Sequence, residues 1–310
     1  QLQDNAVPGV PPEARIALEY VEVPGELADG TPYSLRKPAY RFQDLGYGAL
    51  TPDVLFSPRV APQMIGMGLL EAVTEEEVLS RADPMDEDGD GISGRENRVW
   101  DARLGGPALG RFGWKANQPS LFQQVAGAFL GDIGITTSLF PSEECTASQA
   151  SCLATPNGGS PEIPDDDLEK VVLYASSLAV PAMREADDPE VVEGARLFEE
   201  VGCAACHTPV MRTGPHPTLP ALSGQTIHPY TDLLLHDMGT ELADGRSDFE
   251  ASGSEWRTPP LWGVGLVPTV NRHSYYLHDG RARSLTEAVL WHAGEGQGSR
   301  DRFAALSADA

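Results

Sequence analysis

Histidine is absent from the first two thirds of this 310-residue chain. The seven histidines all lie from position 207 onward: His207, His216, His228, His236, His273, His278 and His292. The first 206 residues therefore offer no imidazole nitrogen to a metal ion. Any ion that this part of the chain binds on its own must be held by oxygen ligands.

Positive charge and long apolar runs are also scarce. The chain has 22 Lys and Arg residues against 46 Asp and Glu residues, which gives a formal net charge of −24. Because such a surface repels nucleic acid and anionic lipid, we exclude both as partners and expect cationic ones. No apolar stretch approaches the roughly 18 residues that a membrane-spanning helix needs.

The chain begins with Gln1 and has no secretory signal peptide. We therefore expect either that a leader has been removed or that this is a piece of a longer protein. Residues 303–310 favour the second expectation, since they resemble the start of a further helix. Another compositional feature is the content of 32 glycines and 26 prolines, which predicts short helices separated by long loops.

The chain has only four cysteines, and two of them lie in a polar loop. Cys145 and Cys152 are seven residues apart. We predict a structural disulfide that closes a small loop in an oxidising compartment, the alternative being a reactive pair.

The other two cysteines form the sequence Cys203-Ala204-Ala205-Cys206-His207. Two thiols three residues apart, followed at once by an imidazole, are the attachment signature of a c-type haem. The cysteines add to the haem vinyl groups, and His207 becomes the proximal ligand of the iron. A redox dithiol is disfavoured because no βαβ pattern precedes the motif, and a zinc site because no second cysteine pair follows. Haem attachment and the disulfide both indicate a bacterial periplasmic or extracellular location.

Local patterns predict several elements. Residues 15–23 and 33–42 alternate like the strands of a hairpin, with Pro38 at an edge. Helical patterns begin at capping or proline signals and cover residues 74–79, 119–130, 165–178, 189–200 and 285–292. We predict a mainly α fold of cytochrome c-like haem domains with long irregular loops and a small β-hairpin. The polar segment 182–188 places a boundary between domains 1–185 and 186–310.

An acidic stretch near residue 86 matches the first half of a calcium-binding loop. Asn97 replaces the bidentate glutamate expected at position twelve, so Glu96 or a more distant carboxylate must complete the shell. Carboxylates forced together among glycines repel one another without a cation, which favours Ca²⁺ over a solvated turn. The predicted ligands are Asp86, Asp88, Asp90, the Ile92 carbonyl and Glu96.

Several motifs together resemble one family. They are DGDGISGR, GRFGWKANQPSLFQQ, GCAACHTP, LLLHDMG, EWRTPPLWGVG and YLHDGRARSLTEAVLWH. In this order they are similar to the di-haem oxidoreductases, relatives of bacterial di-haem cytochrome c peroxidases and of the di-haem enzyme that matures tryptophan tryptophylquinone. The resemblance implies two c-type haems, but this chain has one CxxCH. It implies that residues 1–185 are the remainder of a first haem domain whose attachment motif lies upstream.

The resemblance also implies ligands for the haem on Cys203 and Cys206. The relatives' sixth ligand lies fourteen residues after the histidine of their HDG motif, which leads here from His278 to His292. The thioether of Met238 is the alternative, and His236 is another donor nearby. The expected partners of the haem propionates are His278, Arg257, Arg281 and Arg283.

Further roles are implied by the relatives' chemistry. They bind calcium between their haems and use a tryptophan as an electron relay, for which Trp114, Trp256 and Trp262 are candidates. Glu71 is the candidate general acid/base for O–O cleavage. The expected activity is reduction of peroxide, or oxidation of a protein substrate, with electrons from a small donor protein. The alternatives are a non-enzymatic mono-haem electron carrier and a thiol–disulfide oxidoreductase.

Overall fold

A computed structural model describes residues 1–307 of the chain, and the last three residues of the predicted 303–310 helix start lie outside the described residues. Phe303 and Ala304 belong to the last described helix. The helices are α1 Met67–Ala72, α2 Glu75–Leu79, α3 Leu121–Ile133, α4 Ala150–Leu153, α5 Asp165–Ser177, α6 Pro189–Glu200, α7 Val267–Asn271, α8 Leu285–Leu290 and α9 Gln297–Ala304. The strands are β1 Arg15–Glu26, β2 Pro32–Gln43, β3 Arg98–Asp101, β4 Gly106–Leu109, β5 Met211–Arg212, β6 Thr226–Ile227, β7 Leu235–Asp237 and β8 Glu255–Arg257.

The prediction of a mainly α fold is wrong. Only 27% of the chain is helical, while 17% lies in strands that form small antiparallel sheets. The sheets pair β1 with β2, β3 with β4, β5 with β6, and β7 with β8. The last three pairs have strands of two to four residues. Strands this short are no longer than one or two alternations, so their pattern cannot be distinguished from a loop.

The β-hairpin is confirmed and is longer than predicted. β1 and β2 pair in antiparallel register from Arg15 opposite Gln43 to Glu26 opposite Pro32. Pro38 lies opposite Tyr20 within a two-stranded sheet, where each strand has a free edge that tolerates a missing N–H. The hairpin packs on the C-terminal part of the chain, because Arg36 donates to the carbonyls of Gly280 and Arg281 at 3.0 and 2.8 Å.

Capping signals placed most of the helices correctly. Thr74, Ser284 and Asp188 accept hydrogen bonds from backbone N–H groups in the first turns of α2, α8 and α6. At α3 the cap is Ser120, so the helix begins two residues later than Pro119 suggests. In residues 1–307, no helix combines the length and apolar composition that crossing a membrane requires.

The main hydrophobic core draws on both halves of the chain. Leu70, Leu121 and Phe112 pack with Met211 and Leu234 in one buried cluster. A second cluster joins Leu35 of the hairpin to residues of the C-terminal segment, including Trp291. Since both clusters cross position 185, the domain boundary stays a prediction.

Candidate functional site

The CxxCH segment lies at the end of α6. Gly202 adopts φ +84°, a left-handed conformation that suits glycine, and ends the helix. Residues Cys203–Ala205 then form one 3₁₀ turn, and the His207 N–H donates to the Cys203 carbonyl at 2.9 Å. This turn fixes two thiols and one imidazole at the start of the loop that follows α6.

The His207 imidazole has one nitrogen committed and one available. Its Nδ1 donates to the Tyr230 carbonyl at 2.8 Å, which places the proton on Nδ1 and leaves the lone pair on Nε2. Burial lowers the pKa of His207 to about 4, so the ring is neutral at ordinary pH. A neutral imidazole with a free Nε2 is the form that binds iron.

His292 has the same arrangement. Its Nδ1 donates to the Ala288 carbonyl at 2.7 Å, and burial lowers its pKa. The charge of a protonated His292 would also lower the pKa of His207, so the two rings are near enough to interact electrostatically. A Cβ built on Gly296 would lie 3.1 Å from the His292 ring and 3.2 Å from Cε of Met238. The structure therefore places Met238 beside His292, and His207 is near enough for the charge of His292 to act on it. Imidazole and thioether donors of this kind fit a six-coordinate haem iron.

His236, the other donor considered, is engaged at both nitrogens. Nε2 lies 2.8 Å from Oδ2 of Asp232, and Nδ1 lies 2.6 Å from Oε2 of Glu295. Burial opposes its charging, but the hydrogen bonds to Asp232, Cys206 and Glu295 outweigh burial and raise its pKa to about 12. His236 is thus a buried imidazolium, and it has no free lone pair for a metal.

This ionic triad, Asp232, His236 and Glu295, joins two parts of the site. His236 Nδ1 lies 3.6 Å from Sγ of Cys206. Glu295 also accepts from the N–H and hydroxyl of Ser93, at 3.1 and 3.0 Å, where the acidic loop ends. The triad therefore links the acidic loop to the attachment turn. Sequence reasoning missed Asp232 and Glu295, since no motif relates them to His236.

The two motif thiols are not activated. Burial raises the pKa of both Cys203 and Cys206, and neither forms a disulfide. A redox dithiol needs a lowered thiol pKa, because the thiolate is the nucleophile. Burial of the thiols therefore argues against a thiol–disulfide oxidoreductase.

Arg257 is a buried cation with only carbonyl partners. Its Nε donates to the Gly113 carbonyl at 2.9 Å and Nη1 to the Thr258 carbonyl at 3.0 Å. Burial lowers its pKa to about 10, although the charge of Asp232 opposes this, and among residues 1–307 no carboxylate lies within ion-pair distance of it. By contrast, Arg281 pairs with Asp279 at 2.8 Å and Arg283 with Glu287 at 2.7 Å. A buried guanidinium without a counter-ion fits a propionate.

His278 belongs to an aromatic cluster. Its ring stacks on Trp256 with centroids 3.7 Å apart, and Trp114 lies edge-on at 6.5 Å. The Lys115 ammonium is 4.3 Å from the Trp256 centroid. Burial lowers the pKa of His278 to about 4. Trp262 lies elsewhere, in the main core, so the structure groups two of the three relay candidates.

Trp262 also lines a cavity of about 960 Å³. Phe198 and Tyr230 line the same cavity, and the Phe198 ring lies 6.4 Å from that of His207. Pockets that hold organic ligands have volumes of about 300–1,000 Å³. The attachment turn therefore has a large, mostly apolar space beside it.

The carboxylates that lie together in the acidic loop differ from the predicted calcium ligands. Carboxylate oxygens of Asp83, Asp86 and Asp88 lie within 4.8 Å of one another. Asp90 instead accepts from the Ile92 N–H at 2.8 Å. Oε1 of Glu96, the last of the five predicted ligands, lies 3.6 Å from Nε of Arg98. Asp83 was missed, although it stands only three residues before Asp86.

The family assignment follows from the sequence match. A model of the family described as "Di-haem oxidoreductase, putative peroxidase" matches residues 12–310. The chain belongs to the di-haem oxidoreductases. No curated protein and no solved structure gives a significant match. Membership implies a haem cofactor and, in coarse terms, an oxidoreductase.

In this di-haem oxidoreductase, the structure also shows the surroundings of Glu71, the predicted general acid/base. Glu71 lies on α1, and its Oε1 accepts from the Leu121 N–H, the first of α3, at 2.8 Å. The structure places it next to His216, with Oε2 3.9 Å from Nε2.

In the segment 145–152, the structure joins the two cysteines, with Cα atoms 5.9 Å apart. This Cα separation is within the range that a disulfide spans.

Proposed function

We propose that this chain holds a covalent c-type haem on Cys203 and Cys206 in a periplasmic, peroxidase-like oxidoreductase. The observation that carries the proposal is the pair His207 and His292. Both rings are partly buried, and both direct Nδ1 to a backbone carbonyl, which leaves Nε2 for the iron. When bound, the haem supplies one-electron redox chemistry.

Different residues of the chain would hold the iron and the propionates of the haem. His207 and His292 would hold the iron, with Met238 as the alternative to His292. Arg257 supplies the positive charge for a propionate, which its lack of a carboxylate partner favours. Asp279 already neutralises Arg281, and His278 is stacked on Trp256. Arg281 and His278 are therefore better suited to donate hydrogen bonds at the edge of the site than to neutralise a propionate.

Peroxide reduction needs a proton donor as well as electrons. We assign the general acid/base role to Glu71, whose Oε2 is the carboxylate oxygen not taken by the Leu121 N–H. Trp114 and the neighbouring Trp256 supply an aromatic route for electrons through the cluster around His278. In the relatives the peroxide-reducing haem is the first of the two, whose attachment motif this chain does not contain.

The remaining assignments concern the surroundings of the enzyme. The net charge of −24 suits a small cationic electron-donor protein. The pairing of Cys145 with Cys152 supports an oxidising compartment, which in bacteria is the periplasm or the exterior. A calcium ion at the acidic loop would neutralise the carboxylates of Asp83, Asp86 and Asp88.

One observation favours a second function. Since both His207 and His292 offer Nε2, the two side chains would hold a haem iron without leaving room for peroxide, and such a haem would supply electron transfer only. The haem count per chain and the absorption spectrum decide between the two. We expect a low-spin haem on this chain and, in the protein with both haems, a high-spin ferric band that peroxide converts. If the spectrum of the two-haem protein is purely low-spin and does not change when peroxide is added, the protein is an electron carrier.

The calcium assignment gives a prediction that separates the structural ligand set from the sequence-based one. In metal-stripped protein, added Ca²⁺ should raise the melting temperature, because a ligand that binds only the folded state stabilises it by about 2.7 kcal/mol at a hundred times its Kd. D83N and D86N should abolish the rise, since each removes one of the three clustered carboxylates. D90N is the matched control and should keep it. Loss of the rise in D90N but not in D83N would favour the ligands predicted from the sequence.

A further inference from the structure

His216 is a buried histidine with one unused nitrogen. Its side chain is 2% exposed. Nδ1 accepts from the Leu219 N–H at 3.0 Å and from the Thr218 N–H at 3.3 Å. Because Nδ1 is an acceptor, the proton of the neutral ring is on Nε2. That Nε2 is buried and has no hydrogen-bond partner among residues 1–307.

The loop that presents His216 is fixed to α1. Thr213 forms a β-bridge with Val73, and the Gly214 N–H donates to the Ala72 carbonyl at 2.7 Å. The backbone N–H of His216 itself donates to Ser223 Oγ at 2.8 Å. The imidazole is therefore held in place by backbone contacts at the C-terminal end of the helix that carries Glu71.

The group opposite Nε2 is the carboxylate of Glu71. Oε1 of Glu71 is held by the Leu121 N–H, and Oε2 lies 3.9 Å from His216 Nε2. That distance exceeds an ordinary hydrogen bond by about 1 Å, so the Glu71 side chain would have to rotate slightly to accept from Nε2. An unpaired buried N–H destabilises the folded protein, so a hydrogen bond from His216 Nε2–H to Glu71 Oε2 would be favourable.

Two other charges act on this pair. The guanidinium of Arg111 donates to the Leu70 carbonyl at 3.4 Å, and burial lowers its pKa while Glu71 and Glu75 favour its charge. The N-terminus of the thirteen-residue helix α3 also points at Oε1. Positive charge and a helix N-terminus therefore both act on the Glu71 carboxylate, whose second oxygen faces His216.

We propose that His216 is a positioning residue for Glu71, whose Oε2 it holds through its Nε2–H. The proposal rests on the acid/base role assigned to Glu71 above. With Oε1 held by Leu121 and Oε2 by His216, the carboxylate keeps one orientation toward the group with which it exchanges a proton. Sequence patterns gave no indication of this residue, because the contact joins a helix to a distant loop.

Two nearly isosteric substitutions separate positioning from loop maintenance. H216N keeps an acceptor near the position of Nδ1, so it still accepts from Leu219 and Thr218, but it loses the donor that faces Glu71. H216Q keeps a donor near the position of Nε2 but loses the acceptor for the loop. The measurements use the haem-loaded protein with both haems.

The first readout is the infrared carboxylate stretch of Glu71, isolated as the difference between the native protein and E71Q. We expect H216N to shift this band and H216Q to leave it unchanged. We also expect H216N to lower kcat for peroxide about fivefold, the equivalent of one hydrogen bond, with KM unchanged. Defects confined to H216Q, equal defects in both variants, or no shift in either would overturn the proposal.

The same measurements separate this inference from the proposed function. If E71Q retains full peroxide turnover, the acid/base role of Glu71 is wrong. The infrared shift between native protein and H216N needs no turnover, so it still tests the contact. Conversely, an inactive E71Q with no infrared effect of H216N overturns the positioning role alone.

Discussion

Replacing His292 with alanine should convert the haem on Cys203 and Cys206 from low-spin to high-spin, whereas replacing Met238 with leucine should leave it low-spin. The reason lies in the hydrogen bond from His292 Nδ1 to the Ala288 carbonyl, which orients Nε2 as a ligand. Met238 lies in the same region but packs with the apolar cluster around Leu290. The effect on H292A should be complete, because an empty sixth position leaves a five-coordinate iron.

External imidazole provides the control for this experiment. It should restore the low-spin spectrum of H292A, because it fills the space of the missing ring, and it should have little effect on M238L. Absorption and electron paramagnetic resonance spectra of both variants report the spin state directly. A high-spin M238L together with a low-spin H292A would assign the sixth ligand to Met238 and refute the bis-histidine assignment.

The attachment motif and most helix starts could be predicted because they depend on residues adjacent in sequence. The Cys203–His207 segment is complete within five residues. Thr74 and Ser284 cap their helices through N–H groups three residues away. In each case the chemistry and the backbone geometry belong to one turn, so no knowledge of the fold is needed.

The parts that could not be predicted depend on contacts between distant segments. His236 was considered as a metal donor because only its neighbours in sequence were known. The carboxylate of Glu295, which occupies its Nδ1, belongs to the loop after α8. His216 and Glu71 likewise meet only because the loop after β5 bonds to the end of α1. The mainly α prediction failed for the same reason, since two-residue strands such as β5 exist only through their partners.

Replacing His236 of the ionic triad with leucine should greatly lower the free energy of unfolding. In H236L the carboxylates of Asp232 and Glu295, which are 2% and 11% exposed, lose the cation between them. Removing one member of a buried ion pair typically costs about 3–5 kcal/mol, because it leaves uncompensated charge in a low-dielectric interior. Urea unfolding of the haem-loaded variant measures the loss of unfolding free energy. D167N is the matched control, since its partner Lys170 is exposed and such pairs contribute about 0–1 kcal/mol.

The pH dependence of this loss has a definite sign. The pKa of His236 is raised from 6.5 to about 12 in the folded state. Its contribution to stability is therefore fully present below pH 6.5, decreases as the pH rises, and is gone above about 12. Between pH 7 and 10, the deficit of H236L relative to the wild-type protein should narrow steadily as the pH rises, because only the wild-type protein has this titration. A deficit that is small, or constant across this range, would mean that His236 is not an imidazolium in the folded protein.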